Sequence, residues 1–234
     1  MTDKEQGLGQ GAPRKARVLI VDDHPLVREG LSRRINREAD MEVCGEVETA
    51  HDALSAIASN SPDVAVIDLV LKASSGLELI KDIRIRRPDL ATLVLSAQDE
   101  TIYAERALRA GARGYIMKHE ASENVLVALR RVLSGKVYLS DAMASKMLDG
   151  FVTAKDRPPL SPVERLTDRE LQVFEFIGQG LTTRQIAERL HLSMKTIDAY
   201  RQSIKMGLGL GNAAELAQRA VLWVQAKTRD SGPL

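Results

Sequence analysis

Apolar and polar positions follow two different periods over the first 133 residues of the chain. Short apolar runs bounded by turn residues predict strands over residues 17–21, 41–47, 64–67, 91–97 and 114–118. Between these runs the apolar residues recur every three or four positions, as Val27, Leu31 and Ile35 do. This second period predicts helices over residues 24–35, 50–58, 76–87, 100–110 and 122–133.

Strands that alternate with helices along a chain are typical of a parallel α/β sheet covered by helices on both faces. We therefore predict a five-stranded, doubly wound parallel sheet over residues 17–133. The commonest order for five such strands is 2-1-3-4-5, which places the first and third strands side by side. Ligands bind at the carboxyl ends of these strands, so the residues that follow each strand are the candidate functional residues.

The remainder of the chain has a different pattern. Residues 134–162 contain a proline-rich stretch that predicts a semi-stiff linker with room for one short helix. Residues 163–228 predict an all-α domain of four helices, because capping residues precede each apolar repeat. These caps are Thr167, Thr182, Ser193 and Asn212, and we expect Gly207 and Gly209 to end the third helix.

Composition limits the class of protein. The single cysteine, Cys44, fits a reducing compartment. The polar residues 1–16, which we expect to be disordered, contain no apolar secretory core, and no run is long enough to span a membrane, so we expect a cytoplasmic protein. Residues 17–135 carry 16 basic and 19 acidic side chains, and residues 160–234 carry 10 and 8. This asymmetry alone is too weak to indicate nucleic-acid binding.

Acidic side chains follow the first and third predicted strands. Asp22 and Asp23 come directly after one strand and Asp68 after the other, and the predicted strand order brings these carboxylates together. Three neighbouring carboxylates are costly unless a cation joins them. Because oxygen ligands suit Mg²⁺, and the four histidines show no zinc-type spacing, we predict a Mg²⁺ site.

A hydroxyl and an amine follow the two remaining strands at the same edge. Ser96 ends the fourth strand and Lys118 ends the fifth. Together with a carboxylate-bound Mg²⁺, they complete a site for phosphoryl transfer in which Asp68 is the nucleophile. Lys118 would neutralise one phosphoryl oxygen and Ser96 would donate a hydrogen bond to another.

These residues resemble the phosphorylation site of two-component response regulators, and the similarity covers residues 17–133. The resemblance implies a receiver domain of flavodoxin-like fold that a histidine kinase phosphorylates on Asp68. It also implies that Tyr115, three positions before Lys118, turns inward on activation. Lys72 departs from the family, which usually has proline there, so we expect a more mobile loop or an additional cation.

Residues 166–226 resemble a LuxR-type helix-turn-helix, and the whole arrangement resembles the NarL-like subfamily. The resemblance implies a transcription regulator that binds double-stranded DNA as a homodimer when phosphorylated, with RNA polymerase as a further partner. Gly207 departs from the family's usual lysine. On the predicted recognition helix, Asp198 and Gln202 are candidates for reading bases. The full set of candidate DNA contacts is Thr182, Thr183, Lys195, Thr196, Asp198, Ala199, Tyr200, Arg201, Gln202 and Lys205.

Two other functions use parts of the same pattern. A phosphatase of the haloacid-dehalogenase kind also has an aspartate nucleophile, but it needs a second aspartate where this chain has Val70. A ligand-sensing LuxR-type regulator would need an aromatic-rich pocket, and residues 17–133 contain only Tyr103 and Tyr115 as aromatic residues. We therefore predict a regulator rather than an enzyme.

Overall fold

A computed structural model describes residues 14–72, 74–152 and 162–230. Five parallel strands form one sheet in the order β2-β1-β3-β6-β7, which is the predicted order 2-1-3-4-5. A two-stranded antiparallel hairpin, β4–β5, follows β3 and is not predicted by the sequence pattern. The strands are β1 (Ala16–Val21), β2 (Met41–Val47), β3 (Val64–Ile67), β4 (Val70–Leu71), β5 (Ser74–Ser75), β6 (Ala91–Ser96) and β7 (Gly114–Met117).

Helices cover both faces of this sheet, because the strands are apolar on both sides. Leu31 of α1 and Leu129 of α5 belong to the core on one face, whereas Ile57 of α2, Ile80 of α3 and Ala107 of α4 belong to the core on the other. The helices of this region are α1 (Pro25–Ile35), α2 (Ala50–Asn60), α3 (Gly76–Arg86), α4 (Glu100–Ala110) and α5 (Ala121–Leu133).

Residues 134–152, the first part of the predicted linker, pack on the sheet domain and contain the one short helix for which the sequence left room. The carbonyl oxygen of Tyr138 accepts a 3.0 Å hydrogen bond from the backbone N–H of Tyr115 at the sheet edge. A helix follows, α6 (Asp141–Val152), and Met143 on it is buried. The side chain of Ser140, just before this helix, bonds to Glu100 of α4. The remaining linker residues 153–161, like residues 1–13 of the predicted tail, lie outside the described residues.

Four helices form the C-terminal part of the chain: α7 (Asp168–Gly178), α8 (Thr183–Leu190), α9 (Met194–Leu208) and α10 (Ala213–Asp230). Both predicted capping boxes are present, at Thr167 and Thr182, and Ser193 caps α9. The prediction that Gly207 ends α9 is wrong, since the helix continues through it. Gly209 ends the helix instead, in a left-handed conformation with φ of 67° that glycine adopts without strain.

Among the described residues, no helix is long and apolar enough to cross a membrane.

Candidate functional site

Asp68 lies at the carboxyl end of β3, where the sheet order predicts the site. Its side chain is almost fully buried, and both carboxylate oxygens have partners. The hydroxyl of Ser96 donates to Oδ1 at 2.9 Å, and Nζ of Lys118 donates to Oδ2 at 2.7 Å. Ser96 ends β6 and Lys118 directly follows β7, so three neighbouring parallel strands deliver the three groups to one point.

Asp22 and Asp23 follow β1 and complete an acidic cluster with Asp68. One ligand atom from each of Asp22, Asp23, His24 and Asp68 lies within 4.8 Å of the others. Oδ1 of Asp23 is buried and faces the cluster, where it lies 2.7 Å from Nδ1 of His24. The donor set, mainly carboxylate oxygens, suits a hard divalent cation. The cluster can therefore bind a metal ion.

Charge within the cluster is only partly balanced. Nζ of Lys118 lies 2.8 Å from Asp22 and 2.7 Å from Asp68 and bridges the two carboxylates. Burial raises the pKa of Asp68, and the Asp22 carboxylate adds to that rise, while Lys118 opposes it. Burial lowers the pKa of Lys118, but Asp68 and Asp22 outweigh it and the net direction is upward, so this lysine stays protonated. A second cation would stabilise the ionised form of Asp68.

The backbone beside Asp68 is closely packed at Gly76, the first residue of α3. A Cβ atom at this position would lie 2.0 Å from the carbonyl oxygen of Asp68. The N–H of Gly76 also donates to the carbonyl oxygen of Leu69 at 3.0 Å. The hairpin β4–β5 can therefore fold back against Asp68 only because residue 76 has no side chain.

Tyr115 already points inward, so the predicted inward movement does not start from this conformation. Its ring is fully buried, and its hydroxyl donates to the carbonyl oxygen of Gln98 at 2.7 Å. Lys72, predicted to add a cation or mobility, makes a 2.8 Å ion pair with Glu48 on the surface.

The C-terminal helices contact α4 of the sheet domain through buried polar groups. The hydroxyl of Tyr103 on α4 donates to Oε2 of Glu175 on α7 at 2.8 Å, and both residues are buried. Nη1 of Arg106, one turn further along α4, lies 2.9 Å from Oδ1 of Asp168. Lys81 of α3 lies 3.0 Å from the other oxygen of Asp168. These contacts connect the two regions of the chain directly.

A second contact reaches the acidic cluster itself. His191 lies in the turn between α8 and α9, in a left-handed conformation with φ of 52°. Its Nε2 atom lies 3.1 Å from Oδ2 of Asp23. One carboxylate oxygen of Asp23 therefore contacts the helix-turn-helix, while the other lies beside His24 within the cluster.

The predicted reading face of α9 is exposed in this arrangement. Lys195, Asp198, Ala199 and Gln202 are all exposed, while Ile197 and Ile204 are fully buried, as the helical spacing predicts. Of the other candidate DNA contacts, Thr182 is exposed, while Thr183, Thr196, Tyr200, Arg201 and Lys205 are half-buried. The hydroxyl of Thr182 is used in the cap of α8, and that of Thr196 lies 2.8 Å from the Ser193 hydroxyl.

Sequence reasoning missed the histidines and the contacts between the two regions. The position of His24 directly after Asp23 was a usable signal, because it places an imidazole beside the cluster. No sequence signal identifies His191, Tyr103 or Glu175, because their partners are distant in the sequence. His191 is 168 positions from Asp23, and Glu175 is 72 positions from Tyr103.

A buried aspartate held by a lysine and a serine at the edge of a parallel sheet, joined to a helix-turn-helix, is typical of one class of regulatory protein. Comparisons with known proteins agree with this class. Residues 18–130 match the response regulator receiver domain, and residues 164–220 match the bacterial regulatory proteins of the luxR family. The chain is 32% identical over 209 residues to the oxygen regulatory protein NreC of Staphylococcus haemolyticus, which covers 88% of this chain and 96% of that protein.

Solved structures give the same result. RcsB from Salmonella enterica serovar Typhimurium, bound to promoter DNA in the presence of the phosphomimetic BeF₃⁻, matches with a TM-score of 0.58 and 25% identity over 88% of this chain and 98% of that chain. A structure of two RcsB dimers bound to two parallel DNAs matches with a TM-score of 0.54 and 25% identity, and the match covers 88% of this chain and 97% of that chain. The chain belongs to the response regulators that join a receiver domain to a LuxR-type DNA-binding domain. It is a transcription regulator controlled by phosphorylation.

Proposed function

We propose that Asp68 is the phosphorylated residue and that a partner histidine kinase is the donor. The observation that carries this proposal is the pair of bonds from Ser96 and Lys118 to the two oxygens of Asp68. An amine and a hydroxyl already beside the carboxylate are placed to hold the oxygens of an incoming phosphoryl group. Asp22, Asp23 and Asp68 would hold Mg²⁺, which neutralises phosphate charge when bound.

The residues have separate roles in the transfer. A carboxylate oxygen of Asp68 attacks the phosphorus, and the bond from phosphorus to the donor nitrogen breaks. Lys118, which stays protonated, leaves its bridge between Asp22 and Asp68 and binds a phosphoryl oxygen. The Ser96 hydroxyl moves from Asp68 to another phosphoryl oxygen. We propose no turnover of substrates by this chain, so the protein is a regulator rather than an enzyme.

We infer that the DNA-binding domain is docked on the receiver before phosphorylation. Docking leaves the reading face of α9 exposed but places His191 against Asp23, beside the proposed phosphorylation site. Docking would therefore restrict access to the metal site and the spacing of two DNA-binding domains, and would leave the recognition helix accessible. On phosphorylation, Lys118 and Ser96 would exchange their bonds to Asp68 for bonds to the phosphoryl group, and this change would favour release of the DNA-binding domain from the receiver.

Released protein would bind DNA as a homodimer in the cytoplasm, where promoter DNA lies, and could there contact RNA polymerase. In this proposal the receiver comprises residues 17–133 and the DNA-binding domain comprises residues 163–228. Two helix-turn-helix units about one helical turn apart would add their contacts. The relative RcsB has been solved as dimers on DNA, which supports this assembly.

Intact-mass measurement tests the phosphorylation site. Treatment with acetyl phosphate and Mg²⁺ should add one phosphoryl group, about 80 Da, to the wild-type protein and none to Asp68→Asn. Excess chelator should prevent the addition to the wild-type protein. A full adduct on Asp68→Asn, or full addition in chelator, would falsify the proposal.

DNA titration tests the second half of the proposal. Phosphorylation should convert the protein to a dimer in sedimentation and tighten its binding to a selected DNA site. Lys195→Ala and Lys205→Ala should weaken binding to all sequences and reduce the salt dependence, whereas Gln202→Ala should relax base preference. A phosphorylated protein that stays monomeric and binds DNA no more tightly would contradict the mechanism.

A further inference from the structure

A cavity of about 850 Å³ lies where the receiver meets the DNA-binding domain. Helices α3 and α4 of the receiver, α6, and helices α7 and α10 of the DNA-binding domain all contribute to its wall. Its volume falls within the range of small-molecule sites. Neither domain forms this cavity alone, and the phosphorylation site does not use it.

The wall carries more positive than negative charge. Among the residues that the structure describes, its basic side chains are Lys81, Arg84, Arg106, Arg109 and Lys146, and its acidic ones are Glu105, Glu164 and Asp168. Arg106 and Lys81 both bind Asp168, and Arg109 binds Glu105. Among the described residues, Arg84 and Lys146 make no ion pair with a carboxylate. Charge complementarity therefore favours an anionic occupant.

The rest of the wall is apolar. Ile102, Leu171 and Trp223 line it, and Trp223 also packs on Phe174 with ring centroids 5.7 Å apart. Ile85 lies in the wall with 79% of its surface exposed, which is unusual for a large aliphatic side chain. A ligand that matches both features must have an anionic group and an apolar body.

We propose that this cavity binds an amphipathic monoanion, a carboxylate carried on an aliphatic or aromatic body. The carboxylate would bind the excess cations of the wall, and the apolar body would cover Ile85, Ile102 and Trp223. Because residues of both domains line the cavity, an occupant favours the arrangement in which the two domains are in contact.

Trp223 is the only tryptophan in the chain, so its fluorescence reports directly on the cavity. The probe is decanoate, used below its micelle concentration with the full-length protein, and the matched cation is decyltrimethylammonium. Decanoate should change the fluorescence saturably and bind about tenfold more tightly than the cation, a preference of about 1.4 kcal/mol. Absence of saturable binding, or equal binding of both probes, would overturn the proposal.

Two pairs of surface variants locate the binding. Ile85→Glu should weaken decanoate binding about tenfold, while Leu26→Glu, an equally exposed aliphatic position on α1 outside the cavity, should not change it. Lys146→Glu should weaken binding similarly, while Lys136→Glu, an exposed lysine outside the wall, should not. If each variant and its control behave alike, decanoate binds elsewhere and the proposal is wrong.

Discussion

Tyr103 of the receiver donates a 2.8 Å hydrogen bond to Glu175 of the DNA-binding domain, and both side chains are buried where the domains meet. A buried carboxylate needs such a donor, because an ionised group without a partner costs several kilocalories per mole to remove from water. The bond therefore stabilises docking only while both partners are present.

Removal of the donor should release the domains. Tyr103→Phe keeps the ring but leaves Glu175 buried without its hydroxyl partner, at a cost of about 1–3 kcal/mol to the docked state. We expect a larger radius of gyration in small-angle scattering and severalfold faster phosphorylation by acetyl phosphate. Tyr138→Phe, at a tyrosine outside this contact, serves as the control. An unchanged radius of gyration in Tyr103→Phe would show that the bond does not hold the domains together.

Docking should weaken as the pH rises through neutrality. Burial raises the pKa of Glu175 from 4.5 to about 7, although the Tyr103 hydrogen bond opposes the rise. Below pH 4.5 the carboxyl is protonated in both the docked and the released protein, so its burial carries no charge penalty. Between pH 4.5 and about 7 the released side chain ionises while the docked one stays protonated, so the docked state becomes progressively less favourable. We therefore expect the equilibrium constant for docking to fall about tenfold between pH 6 and pH 8.

Glu175→Gln separates this effect from other titrations. Glutamine can accept the Tyr103 bond but does not ionise, so the radius of gyration of this variant should change less between pH 6 and pH 8 than that of the wild-type protein. The same pH response in both proteins would exclude Glu175 as its source.

Removal of the His191 contact should make the proposed metal site more accessible. His191→Asn keeps a residue that tolerates the left-handed conformation but shortens the side chain that reaches Asp23. We expect half-maximal phosphorylation at a severalfold lower Mg²⁺ concentration. His119→Asn, at an exposed histidine that pairs with Glu120, is the matched control. A Mg²⁺ requirement equal to that of the wild-type protein would mean that His191 does not restrict the site.

The phosphorylated state should be long-lived, because Val70 offers no polar atom to hold an attacking water. Val70 lies in β4, two residues after Asp68, and is half-buried. Val70→Asn introduces an amide that can position water in line, so the lifetime of the phosphorylated protein should shorten severalfold. Intact-mass measurement over time gives this lifetime. A lifetime that is unchanged or longer would refute this role for Val70.

Gly76→Ala should destabilise the receiver, since a Cβ there would lie 2.0 Å from the Asp68 carbonyl oxygen. The main chain must move to accept it, and we expect the free energy of unfolding to fall by about 1–3 kcal/mol. Gly30→Ala is the contrasting variant. Gly30 lies in α1 with nothing within 4 Å of the added atom, so alanine should stabilise by up to about 1 kcal/mol. Denaturant unfolding measures both, and equal effects would contradict the packing argument.

The sequence by itself determined the order of the sheet and the residues at its functional edge. Strand position depends on local apolar runs, and in a parallel sheet every strand delivers its last residue to the same edge, so Asp22, Asp68, Ser96 and Lys118 could be placed together from the pattern alone. The caps at Thr167 and Thr182 were equally predictable, because each cap contacts a residue three positions away.

Only the tertiary structure decided how the two domains meet. Glu175 of α7 and His191 of the turn after α8 look like ordinary surface residues in the sequence, and a local contact such as that between Gln179 and Glu175 does not mark them as contacts between domains. Their partners, Tyr103 and Asp23, are brought near by the packing of one domain on another, which no periodicity encodes. The same reason explains why residues 134–152, predicted only as a linker with room for one short helix, pack on the sheet domain through contacts with α4 and the sheet edge.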